Sequence, residues 1–357
     1  MEKVMATVFF SLLCLWTTTE AKDLYVNITY LETAITKGAV CLDGSAPAFH
    51  FHPGTGSGIN SWLIHLQGGG WCETTSDCLA RATTDLSSKN MSKIAYFTGV
   101  LSSDPQFNPD FYNWNRVKIR YCDGSSYIGD IEEVDPAILS GTSAGGLGAI
   151  LHCDKFRLFL PLIARVKCIS DAGFFVNVEA ISGEPLIEEK YKRVVALHGS
   201  AKNLPLSCTA LSSDPNLCFF PQYVARHICT PLFIVNSAYD SWQINNSLVP
   251  QVADPNNEWP YCKHDINICS PSQIQTLQDF RLKFLEALNE LGPSISRGYF
   301  ISSCHFHNGI EIQNYWSSRN SPTLANKTIA EAIGDWFFDR SEFQGVYCPY
   351  PCGKFCQ

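Results

Sequence analysis

Ala137-Ile138-Leu139-Ser140-Gly141-Thr142-Ser143-Ala144-Gly145-Gly146 is the stretch that decides the fold. The apolar run Ala137–Leu139 leads into Gly-x-Ser-x-Gly, and a helical pattern follows from about Gly145 to Leu158. A strand that turns sharply into a helix around a serine lifts the hydroxyl above the sheet edge, and flanking glycines let strand and helix pass closely. A serine hydroxyl is a weak nucleophile, so it must be exposed, held still and given a base. Backbone N–H groups at the start of the new helix face the reacting carbonyl. The competing reading is a glycine-rich turn or a phosphate loop, but no lysine stands in the phosphate-loop position.

Outward from this turn, short apolar runs alternate with helical patterns, the mark of a mostly parallel sheet flanked by helices. The predicted strands are Trp62–Leu66, Val117–Tyr121, Ala137–Leu139, Val166–Ile169, Leu232–Val235 and Gly298–Ile301. Small or polar residues follow each one, which puts loops at the strand ends where open α/β sheets build their sites. A long helix is predicted after Ser270, with Pro271 at its first position and Gln273 completing a capping box. Ile274, Leu277, Phe280, Phe284, Leu288 and Leu291 give it an apolar stripe, and Gly292 ends it. A last amphipathic segment, Ile329 to Phe338, is expected to dock on the sheet. No repeat, low-complexity tract or linker divides the chain, so residues 22–357 read as a single α/β-hydrolase-like domain.

Gly68-Gly69-Gly70-Trp71 follows the strand Trp62–Leu66 directly. A tetrahedral intermediate carries an oxyanion, and a glycine-rich loop can bring N–H donors to it without side-chain obstruction. The base and its orienting acid should follow the serine in the order Asp, then His. Asp240 comes just after the run Leu232–Val235, and His307 a few residues after Gly298–Ile301. Asp171 competes as the acid, and His264 and His305 as the base. His50-Phe51-His52 and His305-Phe306-His307 also raise a metal hydrolase, since H-x-H on a strand puts both rings on one face. No third ligand has a telling position, and the serine turn already accounts for a hydrolase, so no metal or other cofactor is expected.

The 357 residues carry a formal net charge of −8, with 17% charged residues and no Lys/Arg-rich run, which excludes nucleic acid as an expected partner. Lys3, the apolar run Val4 to Trp16 and the small residues around Ala21 read as a signal peptide over residues 1–21. That run is short against the ~20 residues that span a bilayer, so no stable membrane anchor is expected. Sixteen cysteines, and sequons at Asn27, Asn90, Asn245 and Asn326, fit the secretory pathway. Loss of Cys14 with the signal leaves an odd number, so at least one thiol lacks a partner within the chain. Cys72 and Cys78 are close enough in sequence to bridge, and Cys348, Cys352 and Cys356 should pair with each other or elsewhere.

The chain resembles the plant pectin acetylesterases, relatives of the Notum-type carboxylesterases, over nearly all of its mature length. The resemblance rests on Leu42-Asp43-Gly44-Ser45, Gly68-Gly69-Gly70-Trp71-Cys72, Phe111-Tyr112-Asn113-Trp114-Asn115-Arg116 and Tyr121-Cys122-Asp123-Gly124-Ser125-Ser126. It continues through Ser143-Ala144-Gly145-Gly146, Cys153-Asp154-Lys155-Phe156, Ala238-Tyr239-Asp240-Ser241-Trp242-Gln243 and Gly334-Asp335-Trp336-Phe337. It implies a secreted, monomeric cell-wall enzyme that removes acetyl groups from pectin. The nucleophile would be Ser143, the acid Asp240 and the base His307, with oxyanion donors on the backbone of Gly69, Gly70 and Ala144. The rival functions are esterase action on a lipid or other acyl ester, and carbohydrate binding without catalysis.

Four departures from the family pattern stand out. Thr142 and Asn308 occupy positions where the family usually has cysteines, a joint absence explained if those two normally bond each other. Gln67 stands where an acid is common. Between Pro136 and Ala137 the family carries a further, helix-bearing stretch that this chain lacks. Cys229 has no usual counterpart and is therefore expected to be the unpaired thiol.

Overall fold

A computed structural model describes residues 24–127, 137–160 and 165–352. The signal peptide, Cys356 and most of the connection around Pro136 lie outside the described residues.

Ten strands form one sheet: β1 (Leu24–Tyr30), β2 (Ala48–His52), β3 (Trp62–Leu66), β4 (Ile94–Phe97), β5 (Asn115–Ile119), β6 (Ala137–Thr142), β7 (Val166–Asp171), β8 (Leu232–Ser237), β9 (Arg297–Ser302) and β10 (Gln344–Val346), in the order β10-β9-β8-β7-β6-β3-β5-β2-β1-β4. From β5 to β10 every pairing is parallel, while β2, β1 and β4 continue the sheet antiparallel. The six predicted strands are all present, with β6, β7, β8 and β9 running one to three residues further. β5 begins and ends two residues earlier than predicted. The antiparallel margin was not predicted.

The two faces carry separate cores, because successive strand residues alternate sides. Leu66, Leu139, Cys168 and Ile234 belong to one core, and Leu63, Ile138, Ile169 and Phe233 to the other. The longer helices are α1 (Thr75–Arg81), α2 (Ala144–Leu158), α3 (Leu186–Leu197), α4 (Pro271–Asn289) and α5 (Ile329–Phe337). The capping box of α4 is formed, with the Ser270 hydroxyl taking the Gln273 N–H and Gln273 Oε1 taking the Ser270 N–H. Leu277, Phe280, Phe284 and Leu288 on α4 are buried in the first core, while Ile333, Trp336 and Phe337 on α5 fill the second.

β5 and β6 run parallel, and β3 lies between them. Their connection therefore crosses over β3, and its described part, residues 120–127, contains no helix. Tyr127 at its end reaches back, donating its hydroxyl to the carbonyls of Gln67 and Ile119.

Among the described residues, disulfides join Cys41–Cys122, Cys72–Cys78, Cys153–Cys168, Cys208–Cys218, Cys262–Cys269 and Cys348–Cys352. Among the described residues Cys229 is the free cysteine, and it is exposed. The Cys72–Cys78 bridge, the pairing of Cys348 with Cys352 and the free Cys229 agree with the sequence reading; the other pairings were not predicted.

Candidate active site

The turn from β6 to α2 puts Ser143 at φ 58°, ψ −122°, a conformation that a residue with a Cβ adopts only when its surroundings enforce it. Three contacts do so: the Ser143 N–H donates to the Asp171 carbonyl at 2.8 Å, the Ser143 carbonyl takes the Leu147 N–H, and α2 lies hard against the sheet. Close approach requires the glycines, since a Cβ on Gly145 would overlap the Leu66 carbonyl and one on Gly141 would overlap the carbonyl of Gly145.

Asp240 and His307 reach Ser143 from the ends of β8 and β9. His307 Nδ1 lies 2.8 Å from Asp240 Oδ2 and 3.0 Å from Oδ1, and His307 Nε2 lies 2.8 Å from Ser143 Oγ. A carboxylate only accepts, so Nδ1 carries the proton and Nε2 is left to accept from the serine hydroxyl. Asp240 is fully buried, and its Oδ1 also takes the Gln243 N–H, which fixes the carboxylate. Burial works against the His307 imidazolium, but the Asp240 carboxylate outweighs it, so the His307 pKa stands above its ordinary value.

The competing residues are placed elsewhere. Asp171 is 1% exposed and contacts the loop rather than the imidazole: its Oδ2 takes the N–H groups of Gly309 at 2.8 Å and Ile310 at 3.1 Å, and the Thr142 hydroxyl at 3.2 Å. One residue thus ties the serine turn, through its carbonyl, to the loop that carries His307, through its carboxylate. Thr142 joins that bridge at one of the positions where a cysteine had been expected. Asn308, the other, sits in the left-handed region at φ 65°. Burial raises the Asp171 carboxyl to about 6. His305 has no hydrogen bond to Ser143 among the described residues, its Nε2 is buried and unpartnered there, and burial lowers its pKa. His264 makes no contact with Ser143 or Asp240 among the described hydrogen bonds.

The His50/His52 pair shares one strand face as its spacing requires, but that face holds guanidinium groups: His52 Nδ1 lies 2.7 Å from Arg116 Nη2, and His50 Nε2 lies 3.5 Å from Arg120 Nη1. Neighbouring cations are the wrong company for a metal ion. Among the described residues, the side chains close enough to share an ion are Cys72, Cys78 and His198, and the two cysteines are already bonded to each other.

The glycine loop lies along the same cleft. Arg81 Nη2 donates to the Gly69 carbonyl and the Tyr121 hydroxyl to that of Gly70 at 2.7 Å, while the N–H groups of Gly69, Gly70 and Ala144 meet no acceptor among the described residues. A trans peptide holds its N–H opposite its C=O, so the grip of Arg81 on Gly69 also fixes the direction of the Gly70 N–H. The cleft has a volume of about 580 Å³ and is lined by Gln67, Trp71, Arg81, Lys118, Lys190, Trp242 and Glu311 besides the loop, Ser143 and His307.

A second polar cluster supports its floor and was not anticipated. His65 is fully buried, with Nδ1 2.9 Å from Ser140 Oγ and Nε2 2.8 Å from Glu311 Oε1, and Lys118 pairs with the other oxygen of Glu311. Burial pushes the Glu311 carboxyl up, but His65 and Lys118 more than reverse it and hold it below its usual range. A histidine inside the strand pattern Trp62–Leu66 was the available signal, because a buried imidazole needs a partner.

A family model described as Pectinacetylesterase matches residues 19–137 and 132–357. The two stretches meet where the sequence suggested a skipped segment. Pectin acetylesterase 11 of Arabidopsis thaliana is 50% identical over 353 residues, covering 90% of this chain and 90% of its own length. Pectin acetylesterase 7 of the same plant is 49% identical over 362 residues, covering 93% of this chain and 92% of its own. The solved structure of the Wnt deacylase Notum from Drosophila has a TM-score of 0.75 at 21% identity, covering 94% of this chain and 100% of that one, a likeness of fold. With half its residues shared with such relatives along nearly their whole length, the chain belongs to the pectinacetylesterase family and is a carboxylic ester hydrolase.

Proposed function

We propose that the chain is a secreted, monomeric, single-domain serine esterase that removes acetyl groups from cell-wall pectin. The observation that carries this reading is the unbroken relay Ser143–His307–Asp240, with its 2.8 Å links, beside N–H groups of Gly69, Gly70 and Ala144 that are unpaired among the described residues. His307 Nε2 takes the hydroxyl proton as Ser143 Oγ bonds to the acetyl carbon, and the carbonyl oxygen becomes an oxyanion facing those N–H groups. Collapse breaks the bond to the sugar oxygen, which leaves with the proton from His307. Water then gives a proton to His307 and adds to the acetyl-serine. The second collapse returns that proton to Ser143 and releases acetate. Asp240 holds the imidazole in the tautomer that both halves need.

Polar side chains dominate the cleft walls, which favours a sugar over a fatty chain, and Trp71 and Trp242 offer aromatic surface. The disulfides among the described residues and a sequence-read signal peptide support export to an oxidising compartment. Among the described residues no helix is long and apolar enough to cross a membrane. The test is acetate release from acetylated pectin, and hydrolysis of a small activated acetyl ester, by the purified chain. Ser143→Ala should lower the small-ester rate by ~10⁴-fold or more. An undiminished rate in that variant removes the mechanism, and a folded chain inert towards both substrates favours binding without catalysis.

A further inference from the structure

The cleft that holds Ser143 contains three cations, Arg81, Lys118 and Lys190, and two carboxylates, Asp77 and Glu311. Their pairings are unequal. Glu311 and Lys118 satisfy each other, with His65 as a third partner. Asp77 takes the Glu73 N–H at 3.3 Å, at the start of α1, where the helix dipole favours it. Arg81 and Lys190 remain. Arg81 uses Nη2 on the Gly69 carbonyl, but its Nε is buried with no acceptor among the described residues. Its Nη1 stands beside the glycine loop, 3.9 Å from where a Cβ on Gly70 would lie. Among the described residues, the ion pair of Lys190, on α3, is a loose contact of 3.8 Å with Glu73, whose other oxygen is held by Arg193 Nε at 2.8 Å. A guanidinium fork with spare donors and an ammonium lining one cleft are the groups that bind a carboxylate.

The geometry points to Arg81 and Lys190 as a carboxylate subsite that selects acetylated sugars bearing a free acid group over the same sugars with that acid methyl-esterified. This rests on the esterase reading above and sharpens its substrate class: an acetylated, ionised uronide. Arg81 then has two tasks in one cleft. It fixes the Gly69–Gly70 peptide and offers charge to the neighbouring acid group, so a substrate seated on it is brought to the glycine loop at the same time. Methyl esterification removes the anion and leaves the Arg81 and Lys190 donors without a charged acceptor.

The experiment compares kcat/KM for acetylated oligogalacturonates with free carboxylates and for the same oligomers after methyl esterification, at low and at high salt. Hydrogen bonds to a charged group are worth ~1.5–3 kcal/mol, so a roughly ten-fold or greater preference for the free acid is expected at low salt, shrinking as salt rises. In Lys190→Met the ratio of the two kcat/KM values should fall several-fold, and in Lys190→Glu it should approach one or invert. Each ratio comes from one preparation, so partial loss of folded enzyme cancels. A ratio near one in the unmodified chain, or an unchanged ratio in both variants, overturns the subsite while leaving the esterase intact. If the unmodified chain hydrolyses neither oligomer nor 4-nitrophenyl acetate, the esterase reading fails and the subsite falls with it.

Discussion

The His307 imidazole feels two carboxylates: Asp240, bonded to Nδ1, and Asp171, bonded to the loop that carries it. Its raised pKa means that the neutral, proton-accepting form is populated only above the ordinary range of ~6.5, so the rate should rise with pH through a midpoint above that value. Asp171 adds to the raise, and Asp171→Asn should therefore move the midpoint to lower pH. The same change has a calculable sign for stability. Burial lifts the Asp171 carboxyl from 3.8 to about 6, so between those values the folded state binds more protons than the unfolded one. The contribution of Asp171 is then fully present below 3.8 and is lost as pH rises through about 6, at ~1.4 kcal/mol per pH unit. Asparagine keeps an oxygen for the Gly309 and Ile310 N–H groups without the buried charge. The variant should melt at least as high as the parent at pH 8 and no higher near pH 4. A lower melting temperature at pH 8, with an unmoved rate midpoint, would sink this account. The sequence left Asp171 and Asp240 as rivals for a physical reason: β7 and β8 are adjacent parallel strands, Asp171 lies opposite Val235, and both acids sit at loop mouths. Only the path of the loop after β9 decides which one meets the imidazole.

At the scale of elements, the β6–α2 turn was legible because its chemistry is local: an apolar strand, glycines at close approaches and a helical pattern are all adjacent in sequence. The antiparallel strands were not. Ala48–His52 reads as a possible ligand pair because its alternation carries histidines, and the arginines that satisfy them lie more than sixty residues away. A histidine inside an apolar strand signals that a partner is needed, but which residue supplies it, as Glu311 does for His65, has no local signature. The local character of the turn also makes it brittle. In Gly145→Ala the new methyl group meets the Leu66 carbonyl, so α2 must retreat from β3 and carry Ser143 with it. A displacement near 1 Å costs ~100-fold in rate. The expected outcome is a loss of that order in kcat for a small acetyl ester while circular dichroism still shows folded enzyme. Retention of full activity would show that the turn absorbs the methyl group without moving the serine.

Across the whole molecule, the cover of the sheet thins towards one side. Phe51, Val117, Ile64, Leu139 and Cys168 lie in register on β2, β5, β3, β6 and β7 and so share one face. Cys168 and Leu139 are 0% and 4% exposed, Ile64 and Val117 are only half-buried, and Phe51 is 38% exposed. Trp62, stacked on Phe51 at 5.6 Å, is half-buried too. The gradient begins at β3, the strand that the β5–β6 connection must cross, and parallel strands are usually joined there by a helix that covers the face. The family match divides at residues 132–137 within that connection. The helix-bearing stretch that the family resemblance places before Ala137 would, if absent, leave apolar surface wet, at ~1.5–3 kcal/mol for each large side chain that could be fully buried, against a whole-domain stability of ~5–15 kcal/mol. Inserting the corresponding segment of Pectin acetylesterase 11 between Pro136 and Ala137 should therefore raise both the melting temperature and the secreted yield. The relay should keep its geometry, because Ser143, Asp240 and His307 are held from the ends of β6, β8 and β9. Equal melting temperatures and yields for the two forms would mean that the short connection already protects the face and that the exposure gradient costs the fold little.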